Sequence, residues 1–181
     1  MRLEIRKKQA ENTIFENNRK LKLVVPCQNE KGKDALIYKE MLAYKLFEEV
    51  SDVHLKTQPL TLKIIEKKGN KEIEHTMFAF LIEDDSKVAK RHDIKKFPKR
   101  RVSPLIVSDS SAINFTLFSY MIGNTDWSMA YQHNTEMFFN GKKLVAIPYD
   151  FDHSGLVNAY YAKPNPMLKI SSVTERVYRG L

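Results

Sequence analysis

Cysteine is nearly absent from this 181-residue chain, since Cys27 is the only one. A single cysteine excludes an internal disulfide and a zinc site built from cysteines. The chain also lacks an apolar run of the roughly 20 residues that a membrane-spanning helix needs. Its first eight residues carry charge but no apolar segment of the kind found in secretion signals. With no internal repeat or low-complexity tract, the sequence predicts one ordinary domain or two small lobes.

Acidic residues are too few to balance the basic ones, so 30 Lys and Arg against 22 Asp and Glu give a formal charge of +8. Much of the excess lies in residues 87–92 and 95–101. Such runs can bind nucleic acid, anionic membranes or acidic proteins. No aromatic platform or nucleic-acid motif accompanies them, so nucleic acid is not an expected partner. We interpret the basic stretch as a solvated linker.

Hydrophobic periodicity predicts a small sheet with one helix in the first half of the chain. Candidate strands cover residues 3–6, 13–15, 19–25, 60–65 and 74–82, and the last of these should be buried on both faces. A helix is expected from Asp34 to about Val50, with Ile37, Met41, Leu42, Tyr44 and Leu46 on its apolar face and Glu40 on the flank.

The second half alternates short helices with a hairpin. Helices are predicted at residues 84–91, from residues 108–111 to Gly123, and at residues 172–179. In the second of these, the stripe Ile113, Leu117, Phe118 and Met121 should face the core. Strands at residues 135–139 and 143–147 flank Asn140-Gly141, the strongest short-range hairpin signal. The fold class is therefore α+β, divided into residues 1–86, a basic linker at 87–104, and residues 105–181.

Four polar residues with oxygen-bearing side chains lie on either side of that hairpin. Asp126 and Asn134 precede it, and Asp150 and Asp152 follow it. Asp150 comes 24 positions after Asp126. A hairpin folds the chain back, so these loops should become neighbours. Carboxylate and amide oxygens are hard ligands that suit Mg²⁺ or Mn²⁺ and phosphate chemistry.

Protein-kinase-like enzymes use the same order of elements. Their catalytic-loop Asp takes the acceptor proton, and an Asn and a second Asp hold the metal ions on the nucleotide. In the first half, a strand bearing Lys22 and a helix bearing Glu40 would supply the ion pair that orients the α- and β-phosphates. Residues 83–85, beginning with Glu83, would form the hinge beside the adenine.

These residues resemble the CotH-like family of atypical protein kinases, named after spore-coat kinases. The resemblance is closest to exported bacterial members whose function is mostly uncharacterised. It runs from about residue 10 to the end, and it rests on residues 20–24, 38–44, 120–128, 133–134, 147–159 and 172–180. The second half carries the more specific motifs.

The resemblance implies a two-lobe fold, with a small antiparallel sheet and a helix in the first lobe and a mostly helical second lobe with a β-hairpin. It implies transfer of phosphate from ATP, with Mg²⁺ or Mn²⁺, to a hydroxyl of a protein Ser/Thr or a small molecule. Asp126 takes the catalytic role. The nucleotide contacts would be Lys22, Glu40 and Glu83, and the metal ligands would be Asn134, Asp150 and Asp152, with bracing of the loop as the alternative role of Asn134.

The family also bears on completeness and compartment. We expect the first lobe to be incomplete and the second to be truncated, as in a piece of a longer protein. A piece of a family-like precursor would be exported, and otherwise the protein would be cytoplasmic. The sequence carries no signal for the oligomeric state.

Three alternatives remain open. The same site would support transfer of a nucleotidyl group. A kinase-like scaffold without activity would hold a partner through its basic linker. A glycosyltransferase would use Asp150-Phe151-Asp152 to bind a metal and a nucleotide-sugar diphosphate, but the chain lacks the repeated βαβ pattern expected for such enzymes.

Overall fold

A computed structural model describes residues 1–26 and 33–180, and Cys27 lies outside them. The described residues contain four α-helices and seven strands, which confirms the α+β class. In chain order the elements are β1 (Arg2–Glu4), α1 (Lys7–Ala10), β2 (Lys20–Val24), α2 (Asp34–Val50), β3 (Thr57–Lys68), β4 (Lys71–Ile82), α3 (Asp85–His92), β5 (Lys95–Lys96), a 3₁₀ turn (Pro104–Ile106), α4 (Asp109–Met121), β6 (Thr135–Phe139) and β7 (Leu144–Pro148). None of these helices is long and apolar enough to cross a membrane.

The first sheet has the strand order β1-β2-β4-β3, with antiparallel pairing throughout. β3 and β4 pair along their full length, whereas β2 pairs only with the last three residues of β4. Burial follows this pairing, because residues 79–82 are buried and residues 71–74 are exposed. The prediction that this strand is buried on both faces is therefore right only for its end. The rest of the hairpin is a two-stranded ribbon.

Helix α2 has the predicted bounds, and its predicted apolar face is buried or partly buried except for Leu42. Ile37, Glu40, Tyr44 and Phe47 are buried, whereas Leu42 is 45% exposed. The buried positions follow the spacing i, i+3, i+7 and i+10, so they form one stripe along the helix. Glu40 lies in the middle of that stripe rather than on its flank.

The basic stretch contains secondary structure. Asp84 begins helix α3 by accepting a hydrogen bond from the Ser86 backbone amide at 3.0 Å. β5 then pairs with β6, and β6 pairs with β7 from Thr135↔Pro148 to Phe139↔Leu144. The predicted hairpin is confirmed. Part of the stretch that we interpreted as a linker is thus the edge strand of the second sheet.

Helix α4 lies at the predicted position, but the face that it buries is not the predicted one. Ile113, Leu117 and Met121 are about half exposed, so their assignment to the core is wrong. Phe118 is buried as predicted, together with Phe115 and Ile122. These three residues have the spacing i, i+3 and i+7, which gives an alternative stripe on the same helix.

Two shorter predictions are also wrong. Residues 13–15 form turns rather than a strand, since the Thr13 hydroxyl accepts a hydrogen bond from the Phe15 amide at 3.1 Å. Residues 172–179 do not form a helix: residues 172–175 make a turn with flanking bends, and residues 176–179 have no regular secondary structure. There the Glu175 carboxylate accepts hydrogen bonds from the Ser171 and Ser172 amides at 2.8 and 3.1 Å, which satisfies the backbone locally.

The main core joins α2, α4 and the end of β4 to the segment after β7. Its aromatic rings pack edge to face, with centroid distances of 4.8 Å between Tyr44 and Phe151 and 5.8 Å between Phe118 and Phe151. Phe151 is completely buried. Because it stands between Asp150 and Asp152, its packing fixes the backbone that carries both carboxylates.

Candidate active site

The β6–β7 hairpin brings the two polar loops together, as its register requires. Beyond the last ladder pair, Thr135↔Pro148, the Tyr149 amide donates a hydrogen bond to the Asn134 carbonyl at 3.2 Å. Asn134, which ends the loop before β6, and Asp150, which lies in the loop after β7, are therefore at the same end of the hairpin. Both have positive φ angles, 46° and 64°, a conformation that Asn and Asp adopt more readily than most residues.

Asp126 is held by the loop on which it lies. Its carboxylate contacts His133 Nε2 at 2.9 Å and accepts a hydrogen bond from Asn134 Nδ2 at 3.0 Å. Asn134 Nδ2 also donates to the Asp126 carbonyl at 2.8 Å, and the Asp126 amide donates to Asn124 Oδ1 at 3.1 Å. The Asp126 side chain remains 38% exposed, so it is oriented and still open to a substrate.

Trp127 lies under this loop, as predicted. It is 8% exposed and packs edge to face on Phe115, with ring centroids 4.9 Å apart. Its indole NH donates to the Asn124 carbonyl at 3.0 Å, which ties the loop to the second core cluster.

The Asp150 loop is fixed from the other side by helix α2. The Asp150 amide donates to the Tyr44 hydroxyl at 3.0 Å. The Asp152 carboxylate accepts a hydrogen bond from the Tyr161 hydroxyl at 3.0 Å and lies 4.0 Å from His153 Nε2. The backbone of Asp150 is thus attached to helix α2, and the carboxylate of Asp152 is held by a neighbouring part of the same loop region.

Glycine allows the two loops to approach each other. The Gly155 amide donates to the Gly123 carbonyl at 3.1 Å, and the Leu156 amide donates to the Ile122 carbonyl at 2.9 Å. A Cβ on Gly155 would lie 2.6 Å from the Val173 carbonyl oxygen, which is too close for a real contact. Gly123 has a φ of 65°, which favours glycine, and a Cβ there would lie 3.1 Å from the same carbonyl oxygen.

The carboxylates of the site perturb one another. Burial of Glu40, together with the charges of Asp150 and Asp152, raises the pKa of Glu40 to about 8. Partial desolvation, followed by the charges of Asp152 and Asp126, raises the pKa of Asp150. When the exposure of the whole residue is considered, Glu40 is buried and Asp150 is exposed at the edge of the cleft. The charges of Asp150 and Asp152 lie beside Glu40, whose raised pKa keeps it mostly protonated near neutral pH. A divalent cation would neutralise these charges.

Lys22 does not contact Glu40, so the predicted ion pair is not formed. Its ammonium lies 3.5 Å from Asp85 and 3.7 Å from Glu136, and 4.9 Å from the centre of the Tyr149 ring. Lys96 pairs with the same two carboxylates. Both carboxylates are buried, and the two lysines together neutralise them.

Glu83 lies directly after β4, where the hinge was predicted, but its side chain and amide are engaged within the fold. Its carboxylate pairs with Arg91 at 2.7 Å and accepts a hydrogen bond from the Lys56 amide at 3.2 Å. Its own amide donates to the Lys56 carbonyl at 2.9 Å. The side chain and amide of Glu83 thus hold the start of β3 to the end of β4, which leaves neither of them available to an adenine ring.

A cleft of about 330 Å³ opens beside Asp150 and Asp152, near the lower end of the usual range for ligand sites. Its walls come from β2 and the residues after it, the first turns of α2, and the region after Asp152. The lining residues include Leu23, Val25, Ile37, Glu40, Tyr160 and Tyr161. Apolar walls with carboxylates at one end suit a flat ring joined to a charged, metal-bound group.

No group of three or more His, Cys, Asp or Glu side chains within residues 1–26 and 33–180 is arranged to hold a metal by itself. Mg²⁺ usually binds through one or two carboxylates and completes its shell with phosphate oxygens and water. The carboxylates of Asp150 and Asp152 fit an ion that arrives with phosphates.

Sequence reasoning missed three residues that position this site. Asn124 could have been found, since an Asn two residues before Asp126 commonly accepts a hydrogen bond from that amide. Tyr44 and Lys99 leave no local signal. Lys99 Nζ donates to the Gln132 carbonyl at 2.9 Å and to the Tyr149 hydroxyl at 3.2 Å, 33 and 50 positions away.

Comparisons of the chain with protein-family models, curated proteins and solved structures give no match. The resemblance to CotH-like kinases therefore stays a prediction from the residues quoted above.

Proposed function

We propose that this chain is a kinase-like phosphotransferase of the CotH type, with a two-lobe arrangement, that uses ATP and Mg²⁺ or Mn²⁺ to phosphorylate a hydroxyl. The observation that carries the proposal is the convergence of Asp126, Asn134 and Asp150 at one end of the β6–β7 hairpin. Nothing in hairpin packing alone requires three such side chains at this place. Phosphoryl transfer requires little of the protein beyond positioned carboxylates and metal ions.

In this proposal Asp126 receives the acceptor. The acceptor oxygen attacks the γ-phosphorus of ATP, and the bond from that phosphorus to the β,γ-bridging oxygen breaks. The hydroxyl proton passes to the Asp126 carboxylate, which gives a phosphate monoester and ADP. His133 and Asn134 hold the carboxylate in place through hydrogen bonds of 2.9 and 3.0 Å.

Asp150 and Asp152 would hold the metal ion, and Glu40 faces the same charges from α2. The ion, when bound, would neutralise the phosphate oxygens as the charge moves toward ADP. The apolar cleft beside these residues is the proposed place for the adenine ring. Lys22, at present paired with Asp85 and Glu136, would have to change partners to reach a phosphate.

That last feature favours the non-catalytic scaffold as a second candidate. A lysine already paired with two buried carboxylates resembles a structural brace more than a nucleotide ligand. The glycosyltransferase alternative gains no support, because the ladders of both sheets in the described residues are antiparallel.

Calorimetric titration with ATP, with and without Mg²⁺, tests the first proposal. We expect binding that requires the metal and that is lost in Asp150→Ala. The control is Asp109→Ala, which removes a carboxylate that is 87% exposed at the start of α4. Transfer of labelled phosphate to a hydroxyl acceptor should be lost in Asp126→Ala while ATP binding is retained. Absence of metal-dependent binding in the unaltered protein would favour the scaffold.

A further inference from the structure

The basic segment is attached to the loop that carries Asp126. Gln132 Nε2 donates to the carbonyl oxygens of Pro98 and Arg100 at 3.0 and 2.8 Å. The Val102 amide donates to the Ala130 carbonyl at 2.9 Å. Since Gln132 is buried, these bonds fix residues 98–102 against residues 130–132.

Some basic side chains of this segment are bonded within the fold, and others are not paired with a carboxylate in the described part of the chain. Lys96 pairs with Asp85 and Glu136, and Lys99 donates to backbone carbonyls of the loop, so both serve the fold. Arg100 and Arg101 are exposed, and no carboxylate of the described residues pairs with either guanidinium. Two positive charges therefore remain available at the edge of the site.

Each arginine lies against an aromatic ring and is not paired with a carboxylate of the described residues. The Arg100 guanidinium lies 4.6 Å from the centre of the Phe97 ring, and that of Arg101 lies 5.3 Å from the Tyr131 ring. Stacking on a ring limits the motion of the side chain and leaves the N–H edge free for a carboxylate. Less side-chain entropy is then lost when an anion binds.

Arg100 and Arg101 lie on a segment that is hydrogen-bonded to the loop of Asp126, where the hydroxyl acceptor would bind. Gln132, which binds the Arg100 carbonyl, is next in sequence to His133, which contacts Asp126 at 2.9 Å. His133 is itself 57% exposed. A peptide whose hydroxyl reaches Asp126 would extend across these groups.

We propose that Arg100, Arg101 and His133 form an acceptor surface that selects a hydroxyl flanked by acidic residues of a polypeptide. The acceptor role rests on the proposed phosphotransferase function. A membrane surface fits less well, because anionic lipid recognition usually involves four to eight basic residues. Single-stranded nucleic acid also fits less well, since an arginine lies over one face of both the Phe97 and the Tyr131 rings, where a base would otherwise stack.

Fluorescence anisotropy tests the surface without any need for catalysis. The probe is a labelled peptide with one serine and three glutamates on each side, and the reference peptide has lysines in place of the glutamates. The test variant is R100E/R101E, with R101E as a smaller change. The matched control is K7E/K8E, which alters the net charge equally on the exposed helix α1. Thermal melts verify that each variant is folded.

We expect the unaltered protein to bind the acidic peptide at least about tenfold more tightly than the basic one, with R100E/R101E losing about that factor and K7E/K8E almost none. Equal losses in the two double variants, or no preference between peptides, would overturn the proposal. The proposal would also be overturned if R100E/R101E lost binding to phosphatidylserine vesicles but still bound the acidic peptide. ATP titration of the same variants tests the phosphotransferase separately, because loss of nucleotide binding leaves the peptide result intact.

Discussion

Glu40 should make the stability of this protein fall as the pH rises. Its side chain is buried beside Asp150 and Asp152, and its pKa is about 8 instead of the usual 4.5. Between these values the folded chain retains a proton that the unfolded chain releases. Stability therefore decreases with pH across this interval, and the loss is complete above pH 8.

The difference between 4.5 and about 8 corresponds to about 5 kcal/mol as an upper bound. Glu40→Gln keeps the size of the side chain and its ability to accept a hydrogen bond, but it cannot ionise. We expect the variant to match the unaltered protein near pH 5 and to be more stable by about 2 to 5 kcal/mol at pH 9, because only the unaltered protein then holds the buried charge.

Urea denaturation in the presence of a metal chelator, at intervals from pH 5 to pH 9, measures this difference. Glu49→Gln is the control, because Glu49 lies on the same helix and is exposed. Its stability should follow that of the unaltered protein at every pH. If the Glu40→Gln curve also runs parallel to the unaltered one, Glu40 is ionised in the folded chain and the reasoning from burial is wrong.

Three further substitutions test the supports of the site. Tyr44→Phe removes the acceptor of the Asp150 amide and should cost about 1 to 3 kcal/mol in denaturation, with weaker metal-dependent ATP binding. Gly155→Ala brings a methyl group to 2.6 Å from a carbonyl oxygen and should cost about 1 to 3 kcal/mol; a thermal melt like that of the unaltered protein would contradict this. Lys96→Met should destabilise by about 1 kcal/mol at pH 7. That cost should vanish in acid, because Lys96 and Lys22 lower the pKa of Asp85 against the effect of its burial, and below that pKa the carboxyl is neutral.

The elements that sequence predicted well are those determined by neighbouring residues. Asn140-Gly141 set the hairpin, and its register then placed Asn134 beside the loop of Asp150. The bounds of α2 followed from periodicity between Asp34 and the residues before Ser51. In each case the interactions that determine the element span only a few residues, so a local sequence pattern is enough to predict it.

The failures concern choices among faces and partners. Helix α4 is apolar on most sides, so the pattern does not determine whether Phe115 or Leu117 faces inward. The outcome depends on where Trp127 and Phe151 pack, and both lie outside the helix. Similarly, the partners of Lys22 come from α3 and β6, which no local pattern associates with β2.

The missing contact between Lys22 and Glu40 agrees with the raised pKa of Glu40. Near neutral pH a carboxyl with a pKa of about 8 is mostly protonated and offers no charge to a lysine. Asp85 and Glu136 do offer charge, so Lys22 pairs with them. If Lys22 moved toward a nucleotide, Lys96 alone would face those two carboxylates, and one buried negative charge would lose its partner. The contact with the nucleotide would have to offset that cost, so the decisive measurement for a nucleotide site is metal-dependent binding at Asp150.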